Sequence, residues 1–334
     1  MAEVDHEVNI EQSLEDSRAD VESVASSSTS ISGSILDYRF ENGRTYHRYK
    51  DGKYAIPNDE RDNDRMDMQH HICLITLGGR LGLAPPCQPE VKVKRVLDVG
   101  TGTGIWAIQF AGDHPEAEVH LKELMDLEYA FDRRQVLGVD LSATQPDFLA
   151  TNVEFEIDDI DEEWTYTLPF DYIHSHFMSS SIADWKVYLT KCFKHIQPGG
   201  YLELQEPEME FQADDGTFPS DCPLAKYGNL LKEAAAILGR EYVAVSSLKT
   251  LMVEVGFQHV TLSRYKWPIN TWPKDPAFKE LGAWGFKNSN AGLEAISIAP
   301  LTRAHKWTRE EVDVFLADVR KDLANKNYHT YIPM

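Results

Sequence analysis

Short apolar stretches recur through the middle of the chain, over residues 96–99, 136–140, 153–157, 170–174 and 201–205. Runs such as 96–99 and 136–140 are the pattern of strands covered on both sides, while 201–205 alternates apolar and polar residues. The segment 182–196 places Trp185, Leu189, Phe193 and Ile196 at helical spacing and stops at Pro198-Gly199-Gly200, a proline and glycine breaker. Further helix candidates cover 58–77, 224–238 and 245–255. Strand, helix and strand in regular succession predict an α/β fold with a doubly wound, mostly parallel sheet.

The first strand leads into Asp98-Val99-Gly100-Thr101-Gly102-Thr103-Gly104, and a helix opens at Ile105. A turn this tight needs residues without a Cβ, and it leaves bare main chain open to a ligand. Glycine-rich strand-to-helix turns bind nucleotide-like cofactors. The spacing is G-x-G-x-G with an acid two residues before the first glycine, not the G-x-G-x-x-G of dinucleotide sites. Together with the Pro-Gly-Gly before the fifth strand, it argues against a nicotinamide oxidoreductase. The second strand ends in Asp140, where an acid accepts hydrogen bonds from ribose hydroxyls. The third runs into Asp158 and Asp159. A doubly wound sheet binds its ligand across the carboxyl ends of its strands, where Gly100, Asp140, Asp158 and His174 fall. Each residue alone has a plainer reading: Asp140 as a helix cap, Asp158 as a solvated loop acid. Their order on successive elements carries the inference.

This arrangement resembles that of the class I S-adenosylmethionine-dependent methyltransferases. The stretches GRTYHRY (43–49), IPNDERDNDRMDMQHH (56–71), FDYIHSHFM (170–178), IQPGGYLELQE (196–206) and LTRAHKWTREEVDVFLADVRKDL (301–323) are similar to the LaeA-like methyltransferases of filamentous fungi. That family is part of a group related to trans-aconitate methyltransferase, and the similarity runs from about residue 36 onward. It implies S-adenosyl-L-methionine as cofactor and a link to fungal secondary metabolism. The role implied is a tailoring enzyme with a small-molecule acceptor. The alternatives are a LaeA-like regulator acting through velvet-type protein partners, or an inactive family member. The resemblance implies that Asp98 and the backbone of Gly100, Thr101, Gly102 and Gly104 hold the methionine part. It assigns Asp140 to the ribose, and Asp158 with Asp159 to the adenine edge. The family usually has arginine where this chain has His176, so anchoring of a carboxylate there is in question. His174 or His176 becomes a candidate general base for a hydroxyl or amine acceptor, against the alternative of a core histidine. The family also closes its sheet with an antiparallel pair. The expected members here are residues 259–265 and a last strand that begins near Tyr328 and is cut short at Met334.

Composition narrows the picture. The net charge is −21, and residues 1–35 hold eight acids and one arginine before a serine-rich tract. Such a segment cannot bury enough apolar surface to offset chain entropy, so it reads as a disordered, solubilising tail. A nucleic-acid binder needs a basic face, so RNA and DNA are excluded as substrates. Lys92-Val93-Lys94-Arg95 reads as the solvated start of the first strand. The four cysteines are scattered, without metal-ligand spacing, as reduced thiols of a cytoplasmic protein, or a nuclear one under the regulatory reading. Asp67 with His70 or His71 has helical ligand spacing but no further ligand cluster, so no metal is expected. No membrane segment is expected either.

The organisation expected is a tail over 1–35, an N-terminal helical cap over 36–90, and a methyltransferase domain over 91–334 with insertions near 120–135, 211–256 and 268–301. Asp140 lies 36 residues beyond Gly104, whereas a βαβ unit places its acid about 20 residues on. The excess over 120–135 reads as a surface insertion or a translated intron. The aromatics Trp267, Trp272, Phe278, Trp284 and Phe286 could line an apolar acceptor pocket or pack an interface.

Overall fold

The computed structural model describes residues 38–115, 136–146 and 150–334. The tail over 1–35 and the insertion over 120–135 lie outside the described residues.

Five strands form the central sheet: β3 (Val96–Val99), β4 (Val136–Asp140), β5 (Val153–Ile157), β6 (Phe170–His176) and β7 (Ile196–Gln205). All are parallel, in the order β5-β4-β3-β6-β7, so β3 is central and every one of its residues is buried. The order reverses between β4 and β6, beside β3, where a doubly wound sheet opens a ligand crevice. Alternation along the strands divides the side chains between two layers. Leu97, Val99 and Ile173 join the core under α3 (Trp185–His195). Val96, Val136, Val153 and Tyr172 pack on α2 (Ile105–Asp113) through Trp106, Ala107 and Phe110. Asp98 and His174 share this second face by parity.

The Pro-Gly-Gly does not separate helix from strand as expected. Helix α3 ends at His195, and β7 starts at Ile196 and runs through Pro198-Gly199-Gly200 with a register shift against β6. Gly199 has φ +85°, and a Cβ on Gly200 would lie 2.8 Å from the Asp171 carbonyl oxygen, so the glycines form a bulge inside the strand.

The antiparallel pair is present but displaced. Its members are β8 (Lys266–Pro268) and β9 (Tyr331–Pro333), not residues 259–265 and a strand from Tyr328. Beyond the ladder, Tyr265 and Met334 exchange both backbone hydrogen bonds, at 2.7 and 2.9 Å. The pair is a separate two-stranded sheet, joined to the chain after β7 through Glu208 N to Pro333 O (2.9 Å) and a bridge between Gln212 and Tyr331.

Helices cover this end of the sheet. A short hairpin, β1 (Arg39–Glu41) and β2 (Arg44–Tyr46), leads to α1 (Glu60–Thr76), whose Asp59 cap accepts from Asp62 N at 3.2 Å. α4 (Pro223–Ile237), α5 (Val245–Val255), α6 (Pro276–Arg303) and α7 (Arg309–Ala324) follow. Leu224 and Leu231 of α4, Leu293 and Leu301 of α6, and Leu316 and Val319 of α7 make a second core. Thr308 and Glu311 form a capping box at the start of α7. The region 268–301 is therefore mostly one 28-residue helix, and of its aromatics Phe278 is exposed while Trp284 packs edge-on to His71. No helix among the described residues is long and apolar enough to cross a membrane.

Candidate active site

The glycine turn after β3 is held from three sides. Gly100 N and Thr101 N both donate to Val139 O, at 2.8 and 3.0 Å, fixing the turn against β4. Gly102 N donates to Asp140 Oδ2 at 2.9 Å. Thr144 Oγ1 and Gln145 Nε2 donate to Gly102 O at 3.0 and 2.6 Å. Gly100, Gly102 and Gly104 have φ of +70°, +57° and +79°, which side chains rarely adopt. Their packing differs as well: a Cβ on Gly100 would meet Met178 Sδ at 2.2 Å, and one on Gly104 would meet Phe155 at 2.4 Å.

The turn opens into a cavity of about 270 Å³. Gly100, Thr101, Gly102, Asp140, Asp158, Asp159 and His176 all line it. Asp98, Gly104 and His174 do not. Gly104 begins α2 in a left-handed conformation beneath Phe155. Asp98 and His174 are fully buried behind the turn. Asp98 Oδ1 lies 2.8 Å from His174 Nδ1, and Asp98 Oδ2 accepts from Thr101 Oγ1 at 2.7 Å. His174 stacks flat on Trp106, with ring centroids 3.8 Å apart. This pair fixes the base of the turn from inside the protein.

The acids at the strand ends have distinct surroundings. Asp140 accepts from Gly102 N and, through Oδ1, from Ser142 N at 3.0 Å. Burial pushes its pKa up against those two N–H groups. Asp159 is paired with Lys53 and accepts from Asp161 N at 3.0 Å. Burial opposes its ionisation, but Lys53 and that N–H outweigh burial and hold its pKa below the usual carboxylate value. Asp158 caps its own loop, accepting from Asp159 N at 2.8 Å.

Burial pushes the histidines down, His174 and His176 both to about 3, and pushes Asp98 up to about 6. His176 is therefore an uncharged imidazole at neutral pH, able to accept a hydrogen bond but only a weak base. Asp98, His174 and His176 offer ligand atoms within 4.8 Å of one another. Spacing along the sequence does not reveal this group, because it forms across two paired strands.

Sequence reasoning missed the residues that roof the cavity. Asn63, Arg65, Met66 and Gln69 of α1 and Asn288 of α6 line it, as do Lys53 and Tyr54 before α1. Thr103 Oγ1 donates to Asp67 Oδ1 at 2.6 Å and His70 pairs with Gln109 at 2.9 Å, so α1 sits directly on the glycine turn. The available signal was the spacing of Asn63, Met66 and Gln69 on one helical face. A polar stripe at that spacing reads as a solvated face until a cavity is seen beneath it.

Glu206, just after β7, is buried and holds the loop after β6: it accepts from Met178 N and Ser179 N, each at 2.9 Å, and from Ser179 Oγ at 2.7 Å. Burial raises its pKa to about 7. The folded pKa lies above the unfolded value, so its contribution to stability is complete below about 4.5 and is lost as pH rises through about 7. Glu206→Gln has no such titration. Its stability relative to the parent is expected to improve steadily from pH 4.5 to pH 7 and to level off above that, in urea titrations across that range. A difference that does not change with pH would remove Glu206 from the acid–base balance.

A methyltransferase-domain family model matches residues 74–262. The chain is 38% identical over 304 residues to Methyltransferase pytC of Aspergillus terreus, covering 91% of this chain and 88% of that protein. It is 35% identical over 296 residues to Secondary metabolism regulator LAE1 of Cochliobolus heterostrophus, covering 87% and 91%. It is 30% identical over 295 residues to Protein-methionine methyltransferase laeA of Emericella nidulans, covering 87% and 73%. Methyltransferases of this kind draw on S-adenosylmethionine, and the left-handed glycine turn with an acid closing the next strand fits that molecule. With that turn in place and the similarity extending over most of its length, the chain belongs to the LaeA-related, S-adenosylmethionine-dependent methyltransferases of fungi.

Proposed function

We propose that the protein transfers the methyl group of S-adenosylmethionine to a small-molecule acceptor in fungal secondary metabolism. The observation that carries this reading is the continuity of the cavity. It runs from the glycine turn to an apolar end lined by Phe211, Leu231, Trp267 and Ile269. Relatives at this similarity include a methyltransferase, pytC, and a regulator, LAE1. A cavity roofed by α1 and α6 favours an acceptor that fits inside it over a protein surface.

The bound cofactor supplies an already activated methyl group, so the chain's own work is binding, orientation and the acceptor proton. In this reading Asp140 takes the ribose hydroxyls, Asp158 and Asp159 the adenine edge, and the Gly100–Gly102 backbone the methionine end, all of them lining the cavity. Asp98 and His174 position that turn from behind. His176 lines the cavity as a neutral imidazole that can accept a hydrogen bond from a hydroxyl or amine acceptor; with its pKa held at about 3 by burial, it is a weak base for that proton. Holding the acceptor in line with the methyl group supplies much of the rate, on the order of 7–11 kcal/mol in favourable intramolecular cases.

The test is isothermal titration of the full chain with S-adenosylhomocysteine, then incubation with methyl-labelled S-adenosylmethionine and extracts of the producing fungus. Saturable binding and label in the solvent-soluble fraction are the expected results. Label confined to protein would favour the regulatory reading, and no binding would leave an inactive family member.

A further inference from the structure

We infer that the acceptor end of the cavity selects an uncharged, largely apolar molecule that presents a hydroxyl or N–H to Asn288, and that it rejects carboxylates. The inference rests on the reading of this cavity as a methyl-transfer site and goes on to name the class of acceptor.

A chain of side chains fixes the direction of hydrogen bonding. Asp62 takes Arg65 through two bonds, Nε to Oδ1 at 2.7 Å and Nη2 to Oδ2 at 3.1 Å. Arg65 Nη1 reaches Gln69 at 2.9 Å. A guanidinium can only donate, so the Gln69 atom facing it is the oxygen. The same oxygen meets Asn288 at 3.4 Å, so Asn288 must turn its NH₂ toward Gln69. That leaves Asn288 Oδ1 as the free end, and it is buried without a partner. Asn63 Oδ1 is buried and unpartnered in the same way. Both residues line the cavity. A buried carbonyl acceptor is satisfied only by an incoming donor. Trp267 Nε1, on another lining residue, is likewise buried and unpaired, and it offers a donor. A hydroxyl, both donor and acceptor, can answer either kind of group.

Charge excludes the other class of acceptor. Three cations line the cavity among the described residues, and acids already hold each of them. Lys53 is paired with Asp159 and Asp161, Arg65 with Asp62, and Arg240 with Asp161 at 2.7 Å. Beyond Asp140 and Asp158, which the cofactor reading already uses, Glu208 adds a further negative group to the lining, as does Glu210, which lies 3.7 Å from Lys232. A carboxylate entering here meets a surplus of acids and no unengaged cation. His176, the remaining basic side chain of the lining among the described residues, is kept neutral by burial.

Three matched probes test this by isothermal titration of the S-adenosylhomocysteine-loaded chain: 2-naphthol, 2-methoxynaphthalene and 2-naphthoate. The expected result is that 2-naphthol binds at least tenfold tighter than either of the others. Asn288→Leu is expected to bring 2-naphthol down to the affinity of 2-methoxynaphthalene, with S-adenosylhomocysteine binding unchanged. Equal or tighter binding of 2-naphthoate overturns the inference, as does failure of all three probes. Loss of every probe in Asn288→Leu would also overturn it, since that marks a purely structural role. A chain that binds S-adenosylhomocysteine but shows no preference for 2-naphthol overturns this inference alone. A chain that does not bind it overturns the cofactor reading, and the three probes are then compared on the free protein with the same criteria.

Discussion

Replacing Asp140 with alanine is expected to weaken S-adenosylhomocysteine binding by a hundredfold or more while leaving the fold in place. Asp140 lines the cavity and accepts one hydrogen bond on each carboxylate oxygen, from Gly102 N (2.9 Å) and Ser142 N (3.0 Å). Each oxygen has a second lone pair, and the two together match a pair of ribose hydroxyls. Hydrogen bonds to a charged group contribute about 1.5–3 kcal/mol each, and about 1.4 kcal/mol is tenfold in affinity. Two lost bonds therefore reach at least two orders of magnitude. The alanine variant also frees the Gly102 N–H and loosens the turn, which acts in the same direction. Asp159→Ala is the informative comparison, because Lys53 and Asp161 N already engage that carboxylate. Its loss is expected to be the smaller of the two. Titration of both variants, with circular dichroism to confirm folding, measures the difference. Parental affinity in Asp140→Ala would end the ribose assignment.

Gly282→Ala is expected to destabilise the protein by about 3 kcal/mol, toward the upper end of what overpacking costs. Alanine is the better helix former by about 1 kcal/mol, so local preference alone predicts the opposite sign. Contact decides it. Gly282 sits where α6 crosses the chain after β8, and a Cβ there would lie 2.1 Å from the Asn270 carbonyl oxygen. One turn on, a Cβ at Gly285 would lie 2.4 Å from Pro268 O. The opposing backbone cannot withdraw freely: Asn270 Nδ2 donates to Leu323 O at 3.1 Å, and Trp272 Nε1 donates to Thr330 O at 2.9 Å. Relief must come from moving the long helix, which carries Asn288 and Leu293 away from the cavity. Gly112→Ala is the control. It is exposed near the end of α2, with open space around its Cβ position, and there alanine is expected to be neutral or stabilising by up to about 1 kcal/mol. Urea denaturation of the two variants checks both signs. A Gly282→Ala variant as stable as the parent would mean that α6 does not pack this closely.

The sheet was legible because its inner strands are covered on both faces. Val96–Val99 and Val136–Asp140 stand out as apolar runs, the edge strand Val153–Ile157 alternates apolar and acidic residues, and Asp140 and Asp158 fall at the carboxyl edge by topology alone. Helix α5 kept the 245–255 limits its spacing gave. The antiparallel pair was misplaced by several residues because β8 is three residues long and contains a proline. A strand that short carries too little alternation to mark its own limits.

The sequence by itself determined the chemistry: a glycine turn that only glycine can make, an acid on the next strand, and hence a methyltransferase of this family. Those features are local, set by φ angles and by the two-residue period of a strand. Tertiary structure decided which of the named groups reach the cavity. His174 and His176 have the same parity on β6, yet His174 is sealed against Trp106 while His176, further along the strand, lines the opening. Lys53 engages Asp159 across 106 residues of chain. Helix α1 looked like a solvated polar helix, and it buries Asp62 and Arg65 as a pair because α6 packs across it. The acceptor end of the site is assembled from such distant pairings. Its polarity depends on which partner each group finds when the chain closes, and no local pattern encodes that.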